Sequence, residues 1–319
     1  MPLYITEEDV ERLLSVEDAV AAIDHLFLLT GQGNAPVAVR QRPRLERSMI
    51  QIMGGAVSGV GLGLKAYTVT PSGTRFIVLL FDHEGGELLA VIEADRLGRR
   101  RTAAASGAAT RYMADPQAKR FGVIGSGWQA VAQIEAVCAV RPIEEVRVYS
   151  PDEAHRRAAA EAARGKVNAS VRAVRSAEEA VEGAEVVVTI TSATEPVLHG
   201  GWLAEGCHVN AAGSNRITAA ELEETVLQRA SVIAVDNLEQ AGKEAGDIAR
   251  AVESGDDVWQ RVVELGAIVL ASHGEKGWQR PAQGLTVFES VGIGTEDVAV
   301  ARVVYEKARE AGAGLELAE

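Results

Sequence analysis

The spacing of apolar and polar positions changes along this chain, and the changes mark its organisation. Thr6 with Asp9, and Ser15 with Asp18, are spaced as helix caps, which predicts a short helix and then a longer one ending near Gly31. From Pro36 to Ala94 strand-length runs take over: Val37 to Leu45, Met49 to Met53, Gly63 to Val69 and Arg75 to Phe81. The last turns back through Asp82-His-Glu-Gly-Gly86 into Glu87 to Glu93, so a mainly antiparallel sheet is predicted here. An alanine-rich helix over Arg101 to Met113 follows, and Asp115-Pro116 breaks it. Beyond the break, apolar strands alternate with helices: Phe121 to Ile124, Val146 to Tyr149, Val171 to Val174, Glu185 to Ile190, His208 to Ala211 and Val232 to Val235. That alternation predicts a parallel, doubly wound sheet with right-handed crossovers. A final strand, Leu285 to Phe288, leads to a helix over about Thr295 to Ala311 that is expected to pack back on the first domain.

The first of these later strands runs into Gly125-Ser-Gly-Trp-Gln-Ala130 and then an amphipathic helix. In such a strand-turn-helix, Gly125 permits the tight turn, Gly127 lets the backbone approach a pyrophosphate, and Ala130 allows close helix-strand packing. The context fits a dinucleotide site of the Rossmann type, contacted by Gly125, Ser126, Gly127, Trp128 and Gln129. The chain therefore reads as α/β: a Rossmann domain at 118–295 inserted in a smaller α+β domain formed by 1–117 and 296–319.

Composition narrows the partners. With 319 residues, 47% hydrophobic and 24% charged, the chain has the make-up of a two-domain globular protein. A net charge of −13 opposes nucleic acid and anionic membranes, and Arg99-Arg100-Arg101 is the one dense basic run. No apolar stretch reaches the roughly 20 residues of a membrane span, and the acidic start argues against a targeting peptide. Cys138 and Cys207 lie far apart without metal-ligand spacing, which suggests buried reduced thiols and a cytoplasmic setting. The scattered histidines give no metal motif.

A bound dinucleotide leaves open what it reacts with, so the other domain must supply substrate-holding groups. Lys65 lies in an apolar strand, where burial is costly unless the amine is paired or functional; an exposed strand lysine is the plain alternative. Arg101-Thr102 is predicted to open a helix, where a guanidinium, a hydroxyl and free N–H groups can converge on a carboxylate, or simply form a solvated turn. Arg40, Arg42 and Arg44 alternate along one predicted strand and share a face, either as a clamp or as an edge-strand solubility device.

Taken together, Gly63-Leu-Lys65, Arg101-Thr-Ala-Ala-Ala-Ser106, Gly125-Ser-Gly-Trp-Gln-Ala130, His208-Val-Asn-Ala-Ala-Gly-Ser214 and Val287-Phe-Glu-Ser-Val-Gly292 resemble the ornithine cyclodeaminase/mu-crystallin family, in order and spacing over nearly the whole chain. The resemblance implies a substrate and dimerisation domain built from both chain ends, an inserted Rossmann domain, a homodimer, and catalysis in a cleft between the domains. It implies that Lys65 is the active-site proton donor or acceptor, that Arg101, with Thr102, pairs with the carboxylate of an amino or imino acid, and that Arg40 is the second substrate arginine. For the last role, a two-residue shift of the hairpin would favour Arg42 instead. Ser290, Val291 and Gly292 match the segment beside the nicotinamide.

The chain departs from the family pattern at Asn215, where cyclodeaminases carry an aspartate acting as acid and base. An amide cannot take up a proton at neutral pH, which disfavours base-dependent cyclisation and favours C=N reduction, with Lys65 as acid and Asn215 bonding to the substrate. Asp236 is a weaker substitute, expected to cap the helix after its strand. At the end of the second Rossmann strand, Tyr149-Ser150-Pro151 lacks the acid that an NAD site usually places on the ribose; Ser150 with Arg156 favours NADP over NAD. The expected activity is NAD(P)H-dependent reduction of a small ketimine or imino acid. The alternatives are an ornithine cyclodeaminase and a non-catalytic nucleotide-dependent binding protein.

Overall fold

The computed structural model describes residues 1–275 and 277–318, so residue 319 of the expected terminal segment lies outside the described residues. In chain order come β1 (Leu3–Ile5), α1 (Glu7–Leu13), α2 (Val16–Gly31), β2 (Val37–Gln41), β3 (Met49–Val57), β4 (Gly61–Thr70), β5 (Gly73–Phe81), β6 (Leu88–Glu93) and α3 (Asp95–Met113). Then follow β7 (Arg120–Ile124), α4 (Ala130–Val140), β8 (Glu145–Tyr149), α5 (Glu153–Arg164), β9 (Ser170–Ala173), α6 (Ala177–Val181), β10 (Val186–Thr189) and β11 (His208–Ala211). Next are α7 (Glu224–Gln228), β12 (Ala230–Val235), α8 (Leu238–Glu244), α9 (Gly246–Glu253), β13 (Val262–Glu264), α10 (Leu265–Ser272), β14 (Leu285–Glu289), α11 (Gly294–Ala311) and β15 (Leu315–Glu316).

The chain forms two compact units, Met1–Thr102 with the segment from Gly292 onward, and Ala103–Val291. The first division falls inside α3 and not at Asp115-Pro116, because that break ends a helix which runs unbroken past residue 102. No helix among the described residues is long and apolar enough to cross a membrane.

In the first unit both expected caps form complete capping boxes, Thr6 with Asp9 and Ser15 with Asp18. The sheet has the order β15-β1-β6-β5-β4-β3-β2 and is antiparallel except where β1 runs parallel to β6. The short strands β1 and β15 lack a readable sequence pattern and were not expected. β2 ends at Gln41, four residues before the predicted Leu45, because its register shifts after Ala38 and Arg44 keeps only an isolated bridge to Met49. Alternation along β3 and β4 turns Met53 and Lys65 to one face and Ile52 and Ala66 to the other. α11 packs on the first face with no room to spare: a Cβ on Gly63 would lie 2.6 Å from Leu79 O and 2.9 Å from Val298. On the other face Ile50, Ile52, Leu62 and Ile77 are each between 36% and 40% exposed.

In the second unit eight parallel strands take the order β13-β12-β14-β11-β10-β7-β8-β9, with an apolar cluster on each face. The strand order reverses at β7, which has β8 on one side and β10 on the other, the position where such sheets open a ligand crevice. The sequence pattern assigns neither β13 nor the helices α9 and α10, whereas α8 is the helix expected after the strand that ends at Asp236.

Candidate active site

Lys65, in the middle of β4, is buried among charges. Its Nζ lies 3.1 Å from Asp297 Oδ1, and 5.7 and 5.3 Å from the ring centres of Tyr67 and Phe76, which stack on each other. A Cβ on Gly98 of α3 would come within 2.8 Å of the ammonium, so glycine leaves the space the charge occupies. Burial pulls the Lys65 pKa down to about 8, Asp297 works against that, and Arg101 and Arg40 add to it. The exposed-lysine alternative is thus set aside.

Arg101 is buried and donates from Nε to Asp297 Oδ1 at 3.1 Å and from Nη1 to Glu296 Oε2 at 2.7 Å. α3 begins at Asp95, so Arg101 and Thr102 sit inside the helix and not at its open end. The expected free N–H groups are therefore absent there, and the Thr102 hydroxyl donates to Gly98 O at 2.8 Å. The three alternating arginines separate in the same way. Arg40 is buried and donates to Gly292 O at 2.8 Å, Arg42 reaches Gln51 Oε1 at 3.2 Å, and Arg44 is exposed beyond the strand end. Gln51 also accepts from the Tyr67 hydroxyl at 2.6 Å.

Among the described residues of this unit, the buried charged side chains are Arg40, Lys65, Arg101, Glu296 and Asp297. Three cations face two carboxylates. A buried excess charge is costly, and one small carboxylate would neutralise it.

In the second unit the turn after β7 keeps the features expected of a dinucleotide cradle. Gly125 has φ +123°, and a Cβ there would meet Ile190 O at 2.3 Å, whereas a Cβ on Gly127 would point into open space. α4 starts without a capping side chain and without an acid in its first turn, so its dipole favours an anion there, although the Ala130 N–H already donates to Gly127 O at 3.0 Å. Ser126 donates to the Ser150 hydroxyl at 2.7 Å, and Ser150 to Asp152 O at 3.1 Å. Arg156 is drawn back over this bend, donating to Ser150 O and Pro151 O at 3.1 and 3.2 Å. Asp152, the nearest carboxylate, serves as N-cap of α5, accepting from His155 N at 2.8 Å. Trp128 is half exposed beside the glycines, and Gln129 leads into α4.

Two loops at the ends of the parallel strands are tied by buried acids. Glu221 accepts from Thr189 Oγ1, Thr191 N and Gly213 N at 3.0, 2.7 and 2.8 Å, fixing the turn that leads to Asn215. Asp236 accepts from Val291 N at 2.7 Å and from Ser290 Oγ at 3.4 Å. Contrary to expectation it does not cap α8; Asn237 does, accepting from Gln240 N at 3.0 Å. Behind them Asp247 accepts from Glu221 N and Leu222 N at 2.9 and 2.6 Å. Burial pushes Asp247 up to about 7, with repulsion from Glu221 adding, and raises Glu289 well above the carboxylate range, with repulsion from Asp247 and Glu221 adding.

No sequence motif points to Asp297, Glu296, Glu221 or Gln51. In sequence, Glu296 and Asp297 look like the ordinary acids of a helix start, and only tertiary packing brings them to Lys65 and Arg101.

A profile of the ornithine cyclodeaminase/mu-crystallin family matches residues 2–312. A delta(1)-pyrroline-2-carboxylate reductase of Bacillus cereus is 37% identical over 281 residues, covering 84% of each chain. The ketimine reductase mu-crystallin of Rattus norvegicus is 37% identical over 231 residues, covering 72% of this chain and 68% of its own. Among solved structures, the delta(1)-pyrroline-2-carboxylate reductase of Thermococcus litoralis in complex with NADH and L-proline superposes with a TM-score of 0.91 at 32% identity, covering 99% of this chain and 100% of that one. An archaeal alanine dehydrogenase dimer with bound NAD gives the same TM-score and identity, covering 99% of both chains. Sequence and fold agree along nearly the full length, and the chain belongs to the ornithine cyclodeaminase/mu-crystallin family.

Proposed function

We propose that this protein is an NAD(P)H-dependent oxidoreductase that reduces the C=N bond of a small ketimine or cyclic imino acid and catalyses the related amino-acid dehydrogenation in reverse. The observation that carries this reading is the buried charge excess in the first unit, three cations against two carboxylates with an ammonium poised to give up its proton. Arg101 and Arg40 hold the substrate carboxylate, and Lys65 protonates the imine nitrogen. Asn215 bonds to the substrate without acting as a base. The amide at Asn215 also argues against the cyclodeaminase reading, and a pure binder has no need of a proton donor beside the clamp.

The nucleotide is held by Gly125, Ser126, Gly127, Trp128 and Gln129, with Ser290, Val291 and Gly292 beside its nicotinamide; when bound, that ring supplies or accepts the hydride. NADP is the favoured form, because Asp152 caps a helix, while Ser150 and Arg156 stand at the strand end with donors now on backbone carbonyls that a 2′-phosphate would draw away. The pyrroline-2-carboxylate reductase and alanine dehydrogenase structures hold NADH and NAD, so the 2′-phosphate preference rests on these residues alone. A homodimer is proposed through the apolar outer face at Ile50, Ile52, Leu62 and Ile77, as the archaeal relative is a dimer.

The test is nucleotide oxidation with NADPH or NADH against five- and six-membered cyclic imino acids and 2-oxo acids with amines, followed by absorbance. Consumption with one imine class supports the reading, whereas ammonia release from ornithine without net absorbance change points to the lyase. Lys65→Met should lower turnover by roughly 10²–10⁴-fold, while quenching of tryptophan fluorescence by the nucleotide persists. Undiminished turnover would remove Lys65 from the mechanism.

A further inference from the structure

We propose that Asp297 is a positioning residue of the reaction: one carboxylate oxygen ties the Lys65 ammonium to the Arg101 guanidinium, so that the proton donor and the carboxylate clamp are held together. This rests on the reductase reading above for its kinetic arm only.

Asp297 Oδ1 accepts from both Lys65 Nζ and Arg101 Nε, each at 3.1 Å, while Oδ2 is buried with no hydrogen-bond partner. The side chain is fully buried in the first turn of α11, where the helix dipole favours a negative charge. The charged groups acting on Lys65 are Asp297 from α11, Arg101 from α3 and Arg40 from β2; Glu296 of α11 pairs with Arg101, and Arg42, just beyond β2, acts on Tyr67 of β4, whose ring lies beside the ammonium. Burial and the arginines all work to discharge the lysine, and Asp297 is the carboxylate that contacts it and opposes them. When Lys65 passes its proton to the imine nitrogen, the lysine amine becomes neutral and the charge moves to the iminium, which hydride from the nicotinamide would then reduce to the neutral product amine. Asp297 then keeps Arg101 as its partner, so no buried anion is stranded during the step.

The test is a titration of Lys65 in full-length protein carrying ¹³C-labelled lysine, which has six lysines, with Lys65 assigned from the Lys65→Met variant. In Asp297→Asn the Lys65 titration should move to lower pH by at least about one unit, a tenfold change in proton affinity. kcat should fall by about 10²-fold, and the pH limb of kcat/KM should move with the titration. Asp297→Glu should recover part of both. A Lys65 titration unmoved in Asp297→Asn, with activity lowered equally at every pH, overturns the proposal in favour of a structural role. Should the Asn variant not fold, the wild-type titration decides: a midpoint near 8 or above supports the coupling, and one near 5–6, the range of unsupported buried lysines, refutes it. Absence of imine turnover in the wild type would instead strike the reductase reading, leaving the Lys65 titration to judge Asp297.

Discussion

Lys65 shows how one residue's chemistry follows from its neighbours. A strand lysine is ordinarily a solvated charge, but β4 turns this one inward, and burial brings its pKa to about 8. At neutral pH it is still protonated and thus an acid for reduction. The sign for catalysis follows: kcat/KM for imine reduction should be level below pH 7 and fall as pH rises through about 8. Amino-acid oxidation, which needs the free amine, should rise through the same range. Paired pH profiles check this, and parallel limbs in both directions would exclude Lys65 as the titrating group. The lysine was legible in the sequence as an oddity in an apolar run, and Arg101 as part of a basic turn. Their carboxylate partners were not, because Glu296 and Asp297 are some two hundred residues away in the chain and look like routine helix-start acids.

At the level of elements, local pattern and local chemistry agreed best where structure is made by near neighbours. The caps of α1 and α2, the turn after β7 and the strands of the parallel sheet fall within a few residues of their predicted places. The start of α3 did not, since Asp95 to Arg100 is too polar to look helical, and its hidden first turns moved Thr102 from an open helix end to an interior position. The glycine turn supports a sharp prediction. Gly125→Ala should cost at least about 1 kcal/mol from its left-handed backbone alone and weaken nucleotide binding more than tenfold, because the added Cβ meets Ile190 O at 2.3 Å. Fluorescence titration with NADPH and NADH measures the loss; unchanged affinity would mean that this turn does not carry the nucleotide.

For the whole molecule, buried ionisable groups set opposing pH trends. His208 lies between Thr286 and Asn210, and burial lowers its pKa to about 3. Its contribution is fully present above the unfolded value of about 6.5 and is lost as pH falls toward 3, because the unfolded chain binds a proton that the native state refuses. Asp247 runs the other way: raised to about 7, it favours the native state at low pH and weakens it as pH rises from about 4 to 7. Asp247→Asn keeps an acceptor for Glu221 N and Leu222 N, so its urea stability should fall less than the wild type's across that window, by up to about 1.4 kcal/mol per pH unit. Identical slopes would show that Asp247 does not titrate there. The outer sheet face makes a separate prediction. Ile77→Lys should shift sedimentation from dimer to monomer, and an unaltered dimer would place the interface elsewhere. What the sequence by itself determined is the architecture and the class of cofactor, because hydrophobic period, caps and glycine turns are interactions between residues close in the chain. What only the tertiary structure decided is the charge set around Lys65, since burial and Coulomb energy depend on distances in space, and α11 meets β4 through packing that no local pattern records.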